Sequence, residues 1–368
     1  MLHPPMNQRL ISLDALRGFT IAAMVIVNNP GTWASVYSPL LHVEWNGATP
    51  TDFIFPFFVF IVGVSIVLAY SKQLEQGREK GELGRKIVWR AVKIFALGLF
   101  LWLYPSFNFP GIRWVGVLQR IAIVFMVCAF LFLYTDWRKQ AWIGGGLLVG
   151  YWILMAYVPV PGIGAPDLSV AEKNWAHYLD ALLLPGRLWK HTWDPEGLLS
   201  TLPAIGTGIT GMLAGHLILG EKDPYRKVAW LFFGGFAALL IGGMWGWTFP
   251  LNKNIWTSSF VLVTSGFAAM GLAASMLLCD IKGVTGWTAL GRIYGANAIT
   301  AYVLAGVIRV LFYKDVFGMT ALNRQWMEAA TGAGMAGELA SLLYAVFYML
   351  VIFLPVWWLY RKKIFLKV

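Results

Sequence analysis

Ten stretches of predominantly apolar residues, each close to the roughly 20 needed to cross a bilayer, run along this chain at about 9–29, 53–70, 87–104, 114–134, 141–158, 197–219, 228–248, 256–278, 294–313 and 338–360. In hydrocarbon every backbone N–H and C=O must find its partner inside the segment, so such stretches can only be helices. The expected fold is an all-α polytopic membrane protein of about ten transmembrane helices, with residues 1–368 as a single transmembrane domain. Composition agrees: 58% of residues are hydrophobic and 13% charged, against about half and about a quarter in a soluble domain. The 19 tryptophans suit the membrane–water interfaces, where Trp collects. No cleavable signal peptide is expected, because the polar start runs straight into a full-length span.

The net charge of +11 does not make a nucleic-acid footprint, because the basic residues sit in short linkers between apolar spans. Linkers 71–86, 135–140, 220–227, 279–293 and the tail (Arg361, Lys362, Lys363, Lys367) are rich in Lys and Arg, while 30–52 has neither. By the positive-inside rule the basic set faces the cytoplasm. Both termini are then cytoplasmic, and the expected location is a bacterial inner membrane. The long outer loops, 30–52, 159–196 and 314–337, are neither repetitive nor low in complexity, as expected of binding surfaces or lids.

Chemistry-bearing residues concentrate on the outer side. His42 is titratable, and Asp52 stands at the mouth of the second span, where a carboxylate could orient an imidazole. The alternative is an interfacial histidine and an aspartate capping a helix. In the first span Asp14 and Arg17 share a face, and Asn28 falls on that face roughly 16 Å further along. Intramembrane polar groups usually face the bundle interior or a water-filled path, although Asp14 and Arg17 could equally form a structural ion pair. Arg120 lies roughly 9 Å inside the fourth span, where it needs a partner, a ligand or an internal acid. Asp194 and Glu196 open the sixth span; Lys253, Asn254, Trp256 and Ser259 sit at the start of the eighth. His216 and Asn297 read first as hydrogen-bonding groups within the bundle. No metal site is expected: there is no HExxH or CxxC, and His42 and His191 are isolated. The two cysteines, Cys128 and Cys279, make no disulfide framework.

Several motifs resemble the heparan-α-glucosaminide N-acetyltransferase family. They are Leu13-Asp14-Ala15-Leu16-Arg17-Gly18, Val27-Asn28, His42-x-x-Trp45-Asn46-Gly47-x-Thr49-x-x-Asp52, and Gly63-Val64-Ser65. The likeness continues through Gly116-Val117-Leu118-Gln119-Arg120, Asp194-Pro195-Glu196-Gly197 and Asn252-Lys253-Asn254-Ile255-Trp256. The first motif is shared with other membrane acyltransferases; the histidine-containing string is far more specific. In size the chain is similar to the bacterial, NagX-like branch, without the extra luminal domain of the lysosomal relative.

The resemblance implies transfer of an acetyl group from cytosolic acetyl-CoA to the amine of an amino sugar across the membrane. The acceptor would be glucosamine-like, a muropeptide or another glycan. The family's active-site histidine matches His42, and its supporting residues match Asn28 and Asp52. His42 is then expected as general base, or as acetyl-carrying nucleophile, with Asp52 orienting it and Asn28 donating to the oxyanion. Expected acceptor-side residues are Trp45, Asn46, Arg120, Asp194, Glu196, Lys253, Asn254, Trp256 and Ser259. Expected donor-side residues are Asp14, Arg17, Arg85, Arg90 and Asn297, with acetyl-CoA as co-substrate and no metal. The partners are the lipid bilayer, the two substrates and a second copy in a homodimer, with no nucleic acid. The rival readings are a transporter for an amino sugar or related solute, for which neither repeated halves nor unwound spans are visible, and a purely structural subunit.

Overall fold

The computed structural model describes residues 10–315 and 319–366. Expectations that touch residues 1–9, 316–318 or 367–368, Lys367 among them, lie outside the described residues. Thirteen α-helices occur among the described residues: α1 Ile11–Asn28, α2 Ile54–Glu75, α3 Lys80–Leu103, α4 Val117–Tyr134, α5 Trp137–Tyr157, α6 Trp175–Leu183, α7 Thr201–Gly220, α8 Pro224–Trp245, α9 Ser258–Ser275, α10 Ala289–Ala296, α11 Ala298–Tyr313, α12 Leu322–Gly332 and α13 Gly337–Arg361. No strand is present among them, so the chain is an all-helical, polytopic membrane protein.

Every expected span falls on a helix, but the spans are not equal. Seven helices are long and apolar enough to cross a membrane, and an eighth crossing arises if α10 and α11 count as one bent span. The two expected spans outside that set are α3 and α5. The first half of α3 carries Lys80, Glu82, Arg85, Lys86 and Arg90, with Lys93 just beyond, and α5 has Arg138 and Lys139 in its first turn. The span expected at 294–313 is not continuous: α10 and α11 meet at 74°, with Asn297 at the break. The sequence offers no proline there, the usual signal for a kink, which is why the break was not anticipated.

Backbones touch where glycines permit it. A Cβ on Gly63 of α2 would lie 2.0 Å from the Gly208 carbonyl of α7, and one on Gly211 would lie 2.0 Å from that of Phe60. In a bilayer, where apolar side chains gain nothing by leaving lipid, small residues let helices approach and pack. Gly18, Gly291 and Gly295 do the same where α1 crosses α10. Among the candidate spans α1, α2 and α7 are the most buried. By contrast α8 exposes Phe232, Phe233, Phe236, Leu240 and Ile241, a lipid-facing surface.

The loops sort into two sets, each tied together by its own contacts. On one side Asn46 meets Asn252, Arg113 meets Asp194, and Asn323 donates to the Gly31 carbonyl. On the other, Asp280 accepts from the Ile11 N–H at the start of α1, Gln140 meets His216, and Asn297 holds the Ile364 carbonyl. This alternation matches the Lys and Arg pattern of the linkers.

Candidate active site

The segment between α1 and α2 folds back on itself. Thr49 Oγ1 donates to the Leu41 carbonyl at 2.6 Å, and Thr51 Oγ1 to that of Pro39 at 3.1 Å. Pro50 starts a short 3-10 turn, Pro50–Phe53, that leads into α2, a position where its missing N–H costs nothing. Asp52 is fully buried and divides its carboxylate. Oδ2 accepts from the N–H groups of Val43 (3.1 Å) and Thr49 (2.9 Å) and from Thr49 Oγ1. Oδ1 lies 2.7 Å from His42 Nδ1. One side chain thus meets the imidazole and also completes a capping box in which Thr49 is the N-cap.

A carboxylate can only accept, so the Nδ1 proton lies between His42 and Asp52, and in the neutral imidazole the lone pair is on Nε2. The His42 side chain is 41% exposed, so this nitrogen can be reached from outside. Lys253 completes the cluster: its Nζ is 2.9 Å from His42 Nδ1, 3.3 Å from Nε2 and 3.5 Å from Asp52 Oδ1. Burial pushes the Lys253 ammonium below the usual lysine range, while Asp52 and Glu196 pull the other way. Acid, base and cation thus meet from two loops more than 200 residues apart in sequence.

Several residues expected to touch an acceptor are instead committed to the protein. Trp45 Nε1 and Asn46 Nδ2 both donate to the Leu168 carbonyl, and Asn46 Oδ1 accepts from Asn252. Asn254 donates to the Glu44 carbonyl. Trp256 is buried and donates to Thr207, and Ser259 is buried and donates to the Phe249 carbonyl at 2.5 Å. These five clamp the loops that carry His42 and Lys253, which explains why they cluster in the same motifs.

Beneath them lies a charged layer. Arg113, which sequence reasoning passed over, binds Asp194 with Nε at 2.6 Å and Nη2 at 2.5 Å, and Glu196 at 2.6 Å. Its guanidinium also packs against the rings of Trp102 and Trp189, which meet each other edge-on. Burial pulls the Arg113 pKa down, but the two carboxylates outweigh it and raise it above the ordinary value. Asp194 is saturated, since its oxygens also accept from the Trp189 and Glu196 N–H groups. Glu196 keeps Oε1 without a hydrogen bond among the described residues. Arg120 is buried, donates to the Gly197 carbonyl and Ser200, and lies over the Trp256 ring. Asp180, noticed in sequence only as a polar loop residue, accepts from the Leu198 N–H, and burial raises its pKa to about 7. The signal for Arg113 was a lone arginine beside the outer start of α4, among tryptophans.

Asn28 ends α1 half-buried. No hydrogen bond joins it to His42 or Asp52 among the described residues. The donor-side residues separate. Arg17 is fixed between Asp14 (3.2 Å) and Ser65 of α2 (2.7 Å). Arg85 is exposed, and Arg90 lies 4.8 Å from the Phe125 ring centre. Asn297 is buried and uses both ends of its amide on the chain's own tail, donating to the Ile364 carbonyl and accepting from the Leu366 N–H. It is a tether for the tail and not a group presented to a ligand. No group of three or more metal-ligating side chains occurs among the described residues.

The sequence is similar to known proteins. The family model described as heparan-alpha-glucosaminide N-acetyltransferase, catalytic, matches residues 9–244. The heparan-alpha-glucosaminide N-acetyltransferases of Mus musculus and Homo sapiens are each 28% identical over 420 aligned positions, covering 98% of this chain. The chain spans 60% of the length of these curated relatives. His42, Asp52, Arg113 and Glu196 fall inside the matched family region; Lys253 lies beyond it.

Proposed function

The chain belongs to the heparan-alpha-glucosaminide N-acetyltransferase family, and we propose that it is a membrane-embedded N-acetyltransferase using acetyl-CoA to acetylate an amino sugar. The observation that carries this reading is the Asp52–His42 pair, 2.7 Å apart, with the imidazole side chain 41% exposed. An amine attacks a thioester only as the free base, and His42 Nε2 is placed to take its proton. Asp52 fixes the tautomer and stabilises the imidazolium that forms. The amine nitrogen bonds to the thioester carbon, the C–S bond breaks, and the proton held by His42 passes to the CoA thiolate. Asn28 is a neutral donor for the oxyanion, and Glu196 Oε1 a group for the acceptor's ammonium or hydroxyls.

The acceptor would be glucosamine-like, or a muropeptide or other glycan, on the periplasmic side of a bacterial inner membrane. Acetyl-CoA would enter from the cytoplasmic side, where both termini lie. Arg17, with Arg85 and Arg90, would meet the CoA phosphates there. The broken span at Asn297 is a feature found in transporters, which favours the second reading, transport of an amino sugar. Against it, the break is filled by the chain's own tail.

The test uses purified protein with acetyl-CoA and glucosamine. Acetyl transfer predicts release of free CoA that depends on the sugar. Sugar uptake into proteoliposomes without acceptor-dependent CoA release would replace this reading with transport.

A further inference from the structure

We propose that Lys253 is a catalytic residue: its ammonium lies against the His42 ring at rest and donates to the thioester carbonyl oxygen during transfer. The inference rests on the acetyltransferase reading above and deepens it. The loop from Pro250 to Thr257 is built to deliver this one side chain. Asn252 bridges to Asn46 and also accepts from the Ile255 N–H at 3.1 Å. Asn254 holds the Glu44 carbonyl, and Thr257 Oγ1 donates to that of Pro250 at 2.9 Å. Trp256 takes a positive φ of 51°, a conformation uncommon for a bulky side chain, and is anchored on Thr207. With its neighbours so fixed, Lys253 carries the loop's charge to within 3.3 Å of both ring nitrogens of His42.

Proton counting limits what that ammonium does. Nδ1–H is given to Asp52, so Lys253 cannot donate to Nδ1; at 2.9 and 3.3 Å from the two ring nitrogens its ammonium lies over the imidazole face, off the in-plane lone pair of Nε2, with Asp52 Oδ1 at 3.5 Å. The lone pair that must take the acceptor's proton is therefore left open by the ammonium. An arriving amine hydrogen-bonds to Nε2, and the ammonium stays beside the reacting carbon. As the amine nitrogen bonds to that carbon, the C=O electron pair becomes an oxyanion, to which Lys253 donates. When C=O re-forms and C–S breaks, His42 returns the proton to the CoA sulfur, and Lys253 keeps all three of its own. A fixed cation in a site with little water stabilises such an oxyanion strongly. Its side chain is only 13% exposed, so it acts with little solvent screening.

The test is a Lys253→Met and Lys253→Cys pair in the full chain, assayed with acetyl-CoA and glucosamine. Both variants should lose about 10²–10³-fold in kcat, with KM for glucosamine nearly unchanged. Alkylating Lys253→Cys with bromoethylamine rebuilds an ammonium at lysine length and should restore much of the rate. The native Cys128 and Cys279 are buried, and treated wild-type protein controls for them. Near-wild-type kcat in Lys253→Met, a loss confined to glucosamine KM, or no rescue by bromoethylamine would each overturn the proposal. Wild-type protein with no transfer at all would overturn the acetyltransferase reading along with it. A dead His42→Ala beside an active Lys253→Met would remove only the role of Lys253.

Discussion

Asp52 touches His42 with one carboxylate oxygen and closes the start of its own helix with the other. The two functions can be separated by substitution. Asn at position 52 keeps an acceptor for the Thr49 N–H but no longer carries a charge to stabilise the imidazolium; Ala loses both. Asp52→Asn should therefore fold with near-native thermal stability and lose about 10²–10⁴-fold in kcat. Asp52→Ala should lose a similar factor and also melt lower, by the roughly 1 kcal/mol typical of a lost cap. Equal melting temperatures in the two variants would show that the capping contacts do not matter.

His42→Ala removes the proposed base. The side chain is 41% exposed and its one ionic partner, Asp52, retains Lys253 at 3.5 Å. Stability should change by no more than about 1 kcal/mol. Turnover should fall by about 10²–10⁴-fold, read as CoA release by a monodisperse preparation. A variant that keeps wild-type turnover would remove His42 from the mechanism.

The part of this site legible in the sequence was the part written locally. His42 and Asp52 are ten residues apart, within one loop, and the spacing alone suggested a carboxylate facing an imidazole. The apolar spans were legible because the bilayer admits only one solution for such segments. Long-range partners were not legible. Nothing in the sequence says that Arg113 takes up both Asp194 and Glu196, or that Asn46 spends its amide on Leu168 and Asn252. Motif residues such as Ser259 looked like ligand contacts because a brace and a binding group have the same composition. Only packing tells them apart. Asn297 shows the same ambiguity: a polar residue in a span reads as functional, and here it holds the tail at a break that no proline announced.

Asp180 gives a pH dependence whose sign follows from its burial. In the folded chain its carboxyl keeps a proton up to about pH 7, against an ordinary value of 3.8. Between these values the folded state holds one more proton than the unfolded chain. The stability this group contributes is thus full below pH 3.8 and is lost as pH rises toward 7. Asp180→Asn keeps an acceptor for the Leu198 N–H and does not ionise. Its melting temperature should exceed that of wild type at pH 8, and the difference should shrink steadily down to pH 5. Parallel melting curves for the two proteins across that range would rule this out.

Orientation follows from the loops. Glu44 and Arg78 are both exposed, on opposite sides of the bundle. A cysteine at position 44 should react with a membrane-impermeant maleimide from the periplasm of intact cells, and one at position 78 only after the membrane is opened. The native cysteines are buried and should stay silent. Reversed labelling would place His42 on the same side as cytosolic acetyl-CoA and remove the need for transfer across the membrane.

The three donor-side arginines should not be equivalent, because the fold treats them differently. Arg17 is held between Asp14 and Ser65, with its side chain 22% exposed. Its charge is therefore placed before any ligand arrives, and little side-chain entropy is lost on binding. Arg85 is on an exposed face and Arg90 rests on Phe125, so either would have to reorganise to meet a phosphate. Arg17→Ala should raise KM for acetyl-CoA most, by about tenfold or more if a charge-assisted phosphate contact is lost. Arg85→Ala and Arg90→Ala should raise it less, and KM for glucosamine should stay put in all three. Ser65→Ala keeps the charge and loosens its position, so its donor KM should fall between wild type and Arg17→Ala. Binding contacts act on KM before kcat, which separates these effects from those at His42. Vesicles loaded with acetyl-CoA, with glucosamine only outside, then test whether the two ends act together. N-acetylglucosamine should appear outside with wild type, more slowly with Arg17→Ala at limiting donor, and not at all with His42→Ala. Equal donor KM across the arginine variants would mean that their charge sets only the orientation of the chain in the membrane.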